Sequence, residues 1–130
     1  MLPAFMPVMQ RSDWDCGVVC LIMLLNVTPK DAYAAARACI RNVEKDGIDV
    51  RGMKQIARRL HKSLIVVRDP TPEQLVDATG ILYGRKPGGW HYMLLFQGVI
   101  YDPSDGVVWD LDEACRYKRF KPRVLLLDAT

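Results

Sequence analysis

Asp15-Cys16-Gly17 leads directly into an apolar stretch over 17–26, the length of about three helical turns. A thiol at a helix N-terminus meets the positive end of the macrodipole and unpaired backbone N–H groups. Both favour the thiolate, the nucleophilic form. Gly17 is expected to keep the approach to the sulfur open. Cys20, one turn further on, serves as an internal comparison. Desolvation disfavours a thiolate there, so it reads as packing, as do Cys39 and Cys115. His61 sits beside Lys62 on a basic amphipathic face and reads as a surface or boundary residue. His91 differs: it follows the loop Lys86-Pro87-Gly88-Gly89-Trp90 and opens an apolar strand from Tyr92 to Phe96, a setting suited to a general base.

Strand parity selects a carboxylate for His91. Gln97-Gly98 reads as a two-residue hairpin turn, which pairs Phe96 with Val99 and sets Met93 opposite Asp102. His91 precedes Met93 by two positions and shares its face, and diagonal neighbours on one face lie about 7–8 Å apart. Pro103 ends the ladder and leaves Asp102 at the rim. Asp105 falls beyond it in a turn with Ser104 and Gly106, without that constraint. The expectation is an Asp102 carboxylate at hydrogen-bonding distance from one His91 nitrogen, with the other nitrogen facing Cys16.

The elements that must position these groups follow in a readable order. Thr28-Pro29 starts a second helix, running through an Ala-rich stretch to about Arg41. Asp49 caps a third over 50–60, with Val50, Met53, Ile56, Ala57 and Leu60 on one face and Arg51, Lys54, Arg58 and Arg59 on the other. Thr71-Pro72-Glu73-Gln74 is a capping box opening a short helix. Strands are expected over 64–67, 81–83, 92–96, 99–101, 107–109 and 124–127. Helices first and strands afterwards indicate α+β, with helices packed on an antiparallel sheet.

The 130 residues suffice for one domain, 1–130, with an ordinary hydrophobic fraction of 50%. Eighteen basic against 15 acidic residues give a net charge of +3, too small a bias for a nucleic-acid partner. The basic clusters 51–62 and 116–123 read as a solvated helix face and a C-terminal edge. The start of the chain lacks the charged-then-apolar pattern of a signal peptide, and no apolar run reaches the ~20 residues of a membrane span. A cytoplasmic protein with reduced thiols and no direct membrane insertion is expected. Cys and His spacings match no metal pattern, so neither metal nor cofactor is expected.

The run QRSDWDCGVVCLIMLL (10–25), then GGWHYMLLF (88–96), then VIYDPSDG (99–106), resembles the papain-like peptidases that process double-glycine leader peptides, cysteine peptidase family thirty-nine. The resemblance spans essentially the whole chain. It implies a papain-like fold, with Cys16 as nucleophile, His91 as base, Asp102 orienting the imidazole, and Gln10 as a side-chain oxyanion donor. It further implies a peptide or protein substrate cut after a Gly-Gly type site. Family members are best known as N-terminal domains of bacteriocin-exporting ABC transporters. No span and no phosphate-binding Gly-Lys-Ser/Thr loop occurs here, so a free-standing domain is expected. The same acyl-thioester chemistry would serve an isopeptidase or acyltransferase, and a peptide-binding regulatory module could keep the fold without turnover.

Overall fold

Local sequence signals account for most helix starts in the computed structural model, which describes residues 7–129. Helix α1 (Cys16–Leu25) is buried almost throughout, as its continuous apolar sequence requires. In α2 (Pro29–Cys39) the Thr28 hydroxyl accepts a hydrogen bond from Asp31 N, with Pro29 in the first turn where its missing N–H costs nothing. A single turn, α3 (Val43–Asp46), follows and was not anticipated. Helix α4 (Val50–Arg59) is capped by Asp49, whose carboxylate accepts from Gly52 N at 2.7 Å; it buries Met53, Ile56 and Ala57 and exposes its arginines.

Six strands make one antiparallel sheet: β1 (Leu64–Arg68), β2 (Thr79–Lys86), β3 (Gly89–Phe96), β4 (Val99–Asp102), β5 (Val107–Asp110) and β6 (Lys121–Asp128). Their spatial order is β1-β6-β2-β3-β4-β5. The last strand is thus inserted between the first two. Most strands run one to three residues longer than the sequence suggests, because the ladder continues through polar and glycine positions such as Gly84. That residue lies where β2 meets β6; a Cβ on it would stand 2.4 Å from the Lys121 carbonyl oxygen and 2.6 Å from the Phe120 ring. Only glycine fits there.

The sheet is covered on both faces. Ile81, Tyr92, Leu94, Tyr101, Val124 and Leu126 face α1, α2 and α4. The alternate residues Leu82, Met93, Leu95, Ile100 and Leu125 pack with Phe120 and with Leu75 of α5 (Pro72–Val76) and Ala114 of α6 (Leu111–Tyr117). Helix α6 was not anticipated, although the acidic first turn of Asp112 and Glu113 beyond Asp110 is a start signal. Among the described residues no helix is long and apolar enough to cross a membrane.

Candidate active site

The β3–β4 turn has the register that its length demands: Phe96 pairs with Val99, Leu95 with Ile100 and Leu94 with Tyr101. Gln97 and Gly98 both have positive φ, 47° and 81°, as a type I′ turn requires. The paired ladder stops one step short of Met93 and Asp102. Even so, shared parity carries the His91 and Asp102 side chains together, with Nε2 of His91 2.7 Å from Oδ1 of Asp102. Cys16 is near enough to His91 to help hold its ring protonated. Since Asp102 occupies Nε2, Nδ1 is the nitrogen left for the sulfur.

Asp102 is fully buried and every bond it accepts is charge-assisted or short. Oδ1 takes His91 Nε2, Ser104 N at 2.9 Å and Ser104 Oγ at 2.7 Å; Oδ2 takes Lys118 Nζ at 2.8 Å. Lys118 also donates to Asp105 Oδ2. Two readings change as a result. Lys118 belongs to the site rather than to a solvated edge, and Asp105 is tied to Asp102 through the shared ammonium. The sequence carries no local signal for Lys118, because its partners arrive from a different strand.

Burial alone would raise the Asp102 carboxyl, but the bonds from His91, Lys118 and Ser104 hold it well below the usual carboxylate range. Burial alone would lower His91. Its bond to Asp102 and the nearby Cys16 outweigh that and hold it up at about 9, so it faces the sulfur as an imidazolium near neutral pH. Cys20 is pushed up, first by burial and then by the nearby Cys16 and Asp102 charges.

These shifts set a pH profile for stability. The raised His91 contributes fully below about 6.5, its unfolded value, and the contribution is lost as pH rises through about 9. The depressed Asp102 contributes fully above its ordinary value of 3.8 and is lost on acidification below it. The thermal midpoint is therefore expected to be flat between about pH 4 and 6.5 and to fall on both sides. Asp102→Asn flattens the alkaline fall, because His91 loses its main partner. Circular-dichroism melts of both proteins across pH check this, and an alkaline slope identical in the two would contradict it.

The loop ahead of Cys16 is organised by Asp15. This carboxylate is fully buried, yet it does not cap α1. It turns back to accept Arg11 N at 2.8 Å, Ser12 N at 3.0 Å and the Tyr33 hydroxyl. The first-turn N–H groups of α1 are consequently left without a side-chain cap beside Cys16. Gln10 is brought to the same rim by its backbone, whose N–H donates to the Pro103 carbonyl at 3.0 Å. Its Nε2 donates one hydrogen to the Ser12 carbonyl at 2.6 Å, while Oε1 is buried without a partner among the described residues. Of the two amide hydrogens one is thus engaged locally. Nothing in the sequence near Asp15 marks this role, because Tyr33 reaches it from α2.

Gly17 serves the packing of α1. A Cβ there would stand 2.8 Å from Met53 Sδ and 3.0 Å from the Tyr92 ring, so the glycine lets α1 seat on those side chains. Tyr92 in turn donates its hydroxyl to the Ile48 carbonyl at 2.9 Å. Beside Cys16 opens a cleft of about 370 Å³, walled by Trp14, Tyr83, Trp90 and Tyr92 and edged by Asp13 and Asp49. Trp90 is half exposed and stacks on Tyr83 with ring centroids 5.0 Å apart. An extended chain laid in this cleft would pass the sulfur against an aromatic wall.

No protein-family model matches the chain, and no curated protein matches it in sequence. Solved structures with the same fold include a double-glycine-motif protease from an AMS/PCAT transporter, in complex with the leader peptide. It has a TM-score of 0.70 and 21% identity, covering 97% of this chain and 91% of that one. The peptidase domain of Streptococcus ComA, a bifunctional ABC transporter involved in a quorum-sensing pathway, gives 0.65 and 16% over 92% and 96% of the two chains. The peptidase domain of Streptococcus mutans ComA gives 0.64 and 17% over 95% and 98%. At these identities the likeness is one of fold, and that fold is the arrangement of helices on an antiparallel sheet expected from the sequence.

Proposed function

We propose that the chain is a cysteine peptidase in which Cys16 attacks the scissile carbonyl, His91 moves the proton and Asp102 holds His91 in orientation. The observation that carries this reading is the buried 2.7 Å hydrogen bond between His91 Nε2 and Asp102, with Cys16 among the groups that hold the His91 ring protonated. The sulfur adds to the carbonyl carbon, and the negative charge passes to the carbonyl oxygen. Uncapped N–H groups at the start of α1 and the second amide hydrogen of Gln10 supply donors for that oxygen. The His91 imidazolium gives its Nδ1 proton to the departing amine, leaving a thioester on Cys16. Neutral His91 then takes a proton from water, whose oxygen attacks the thioester; the acid leaves, and the Cys16 thiolate and His91 imidazolium are restored. Asp102 stays ionised throughout and stabilises the imidazolium.

The peptide class of substrate is supported by the cleft beside Cys16 and by fold neighbours that are peptidase domains, one of them holding a leader peptide. A fluorogenic peptide amide ending in Gly-Gly is the first probe. Release by the wild-type chain, absent with Cys16→Ala, is the expected result; equal release by both proteins would overturn the assignment of Cys16. The uncut case is decided by incubating a cell extract with each protein and mapping new peptide termini.

Thiol reactivity gives an independent check. With limiting iodoacetamide at about pH 6, Cys16 is expected to be alkylated well before Cys20, Cys39 or Cys115. Cys16 opens on the cleft and faces a protonated imidazole, whereas burial pushes the Cys20 and Cys115 thiols up. Peptide mapping reads the order, and equal labelling of all four would count against a nucleophilic Cys16.

A further inference from the structure

Arg85, Lys86, Arg119 and Lys121 line one cleft of about 530 Å³, together with Pro87, Gly88 and Gly89. No carboxylate lines it, and among the described residues none of the four cations forms an ion pair. The sheet fixes their spacing. Arg85 pairs with Trp90 across β2–β3 and with Lys121 across β2–β6. At Gly88 and Gly89, with φ of 98° and 137°, a Cβ would meet nothing within 4 Å, so the turn backbone is open to approach.

Arg119 adds a separate observation. It lies just past Lys118, the C-cap of α6, with φ 54° in the left-handed region. Glycine is the low-cost residue at that position, because any Cβ is strained there. The chain instead carries an arginine there, and that residue lines the cleft.

We propose that this cleft binds an acidic stretch of a peptide partner, whose carboxylates bridge the Arg85, Lys86, Arg119 and Lys121 side chains beside the Cys16–His91 site. The position supports a peptide: Arg85 adjoins Gly84, the partner of His91, and Arg119 adjoins Lys118, the partner of Asp102. No aromatic ring lines the cleft on which a nucleobase could stack, and Pro87 is its one apolar side chain, which leaves nothing to enter a lipid surface. Guanidinium groups offer carboxylates paired donors, so charge and geometry both match.

The choice of a peptide among polyanions rests on the peptidase reading. Binding is measured without turnover, so failure of one does not decide the other. Fluorescein-labelled hexaglutamate is titrated with the full chain and followed by anisotropy. Saturable binding that weakens with salt is expected. Arg119→Gly weakens it about tenfold, the scale of one charge-assisted bond, with a thermal midpoint equal to or above wild type because the backbone strain is relieved. Lys121→Gln, which leaves the backbone unaltered, gives a comparable loss, while Arg58→Gln on exposed α4 matches the wild type in affinity. Absence of saturable binding would overturn the proposal, as would equal weakening by Arg58→Gln, which would mean net charge alone. Tighter binding of an oligothymidylate or of phosphatidylserine vesicles than of hexaglutamate would also overturn it.

Discussion

Asp102→Asn is expected to lower kcat by about 10³–10⁴, while Asp105→Asn stays within about threefold of wild type. The asymmetry follows from what surrounds each carboxylate. Oδ1 of Asp102 faces three donors, His91 Nε2, Ser104 N and Ser104 Oγ, and Oδ2 faces the Lys118 ammonium. An asparagine must turn its NH₂ toward one side or the other. Facing Lys118, it meets a cation, donor against donor. Facing His91, it forces Nε2 to accept and moves the ring proton to Nδ1, so neutral His91 can no longer take a proton there. Either way the charge that stabilises the imidazolium is gone. Asp105 accepts from Lys118 and Val107 N, and an asparagine can still accept both bonds. Steady-state rates of the two variants on one verified substrate measure the difference; similar losses would remove Asp102 from its assigned role.

Gln10→Ala is expected to lower kcat by about 10²–10³, the usual loss for one oxyanion donor, with little change in KM or in thermal stability. Stability should hold because the features that fix the loop lie elsewhere. Asp15 gathers Arg11 N, Ser12 N and the Tyr33 hydroxyl, Arg11 lies over the Tyr33 ring, and the bond from residue 10 to Pro103 is made by the backbone. Alanine also removes a buried Oε1 that has no partner among the described residues. Gln10→Glu should lose at least as much activity, since a carboxylate offers no N–H and repels a developing oxyanion. An unchanged kcat in Gln10→Ala would falsify the donor role and leave Gln10 a loop residue.

How much of this was legible in the sequence depended on the distance over which each contact acts. The caps at Thr28, Asp49 and Thr71 were readable because donor and acceptor lie within three residues of each other. The meeting of His91 with Asp102 was readable because a two-residue turn propagates parity along both strands. Lys118 was not, since its approach to Asp102 needs α6 packed beneath β4 and β5. The insertion of β6 between β1 and β2 leaves no local trace either, because every ladder partner it has lies far away in the chain. Asp15 was legible as a polar residue before a helix. Its turning away from that helix was not, since Tyr33 arrives from α2.

The central position of β6 governs when the site comes into being. During vectorial synthesis α1 leaves the ribosome first, and β6 follows roughly a hundred residues later, an interval of several seconds at ~5–20 residues per second. Until then β1 has no neighbour to pair with, and β2 has one open edge. Lys118, three residues ahead of β6, has no fixed place from which to hold Asp102. Whatever chemistry the site performs begins only once β6, whose ladder partners all lie far back in the chain, has docked between β1 and β2.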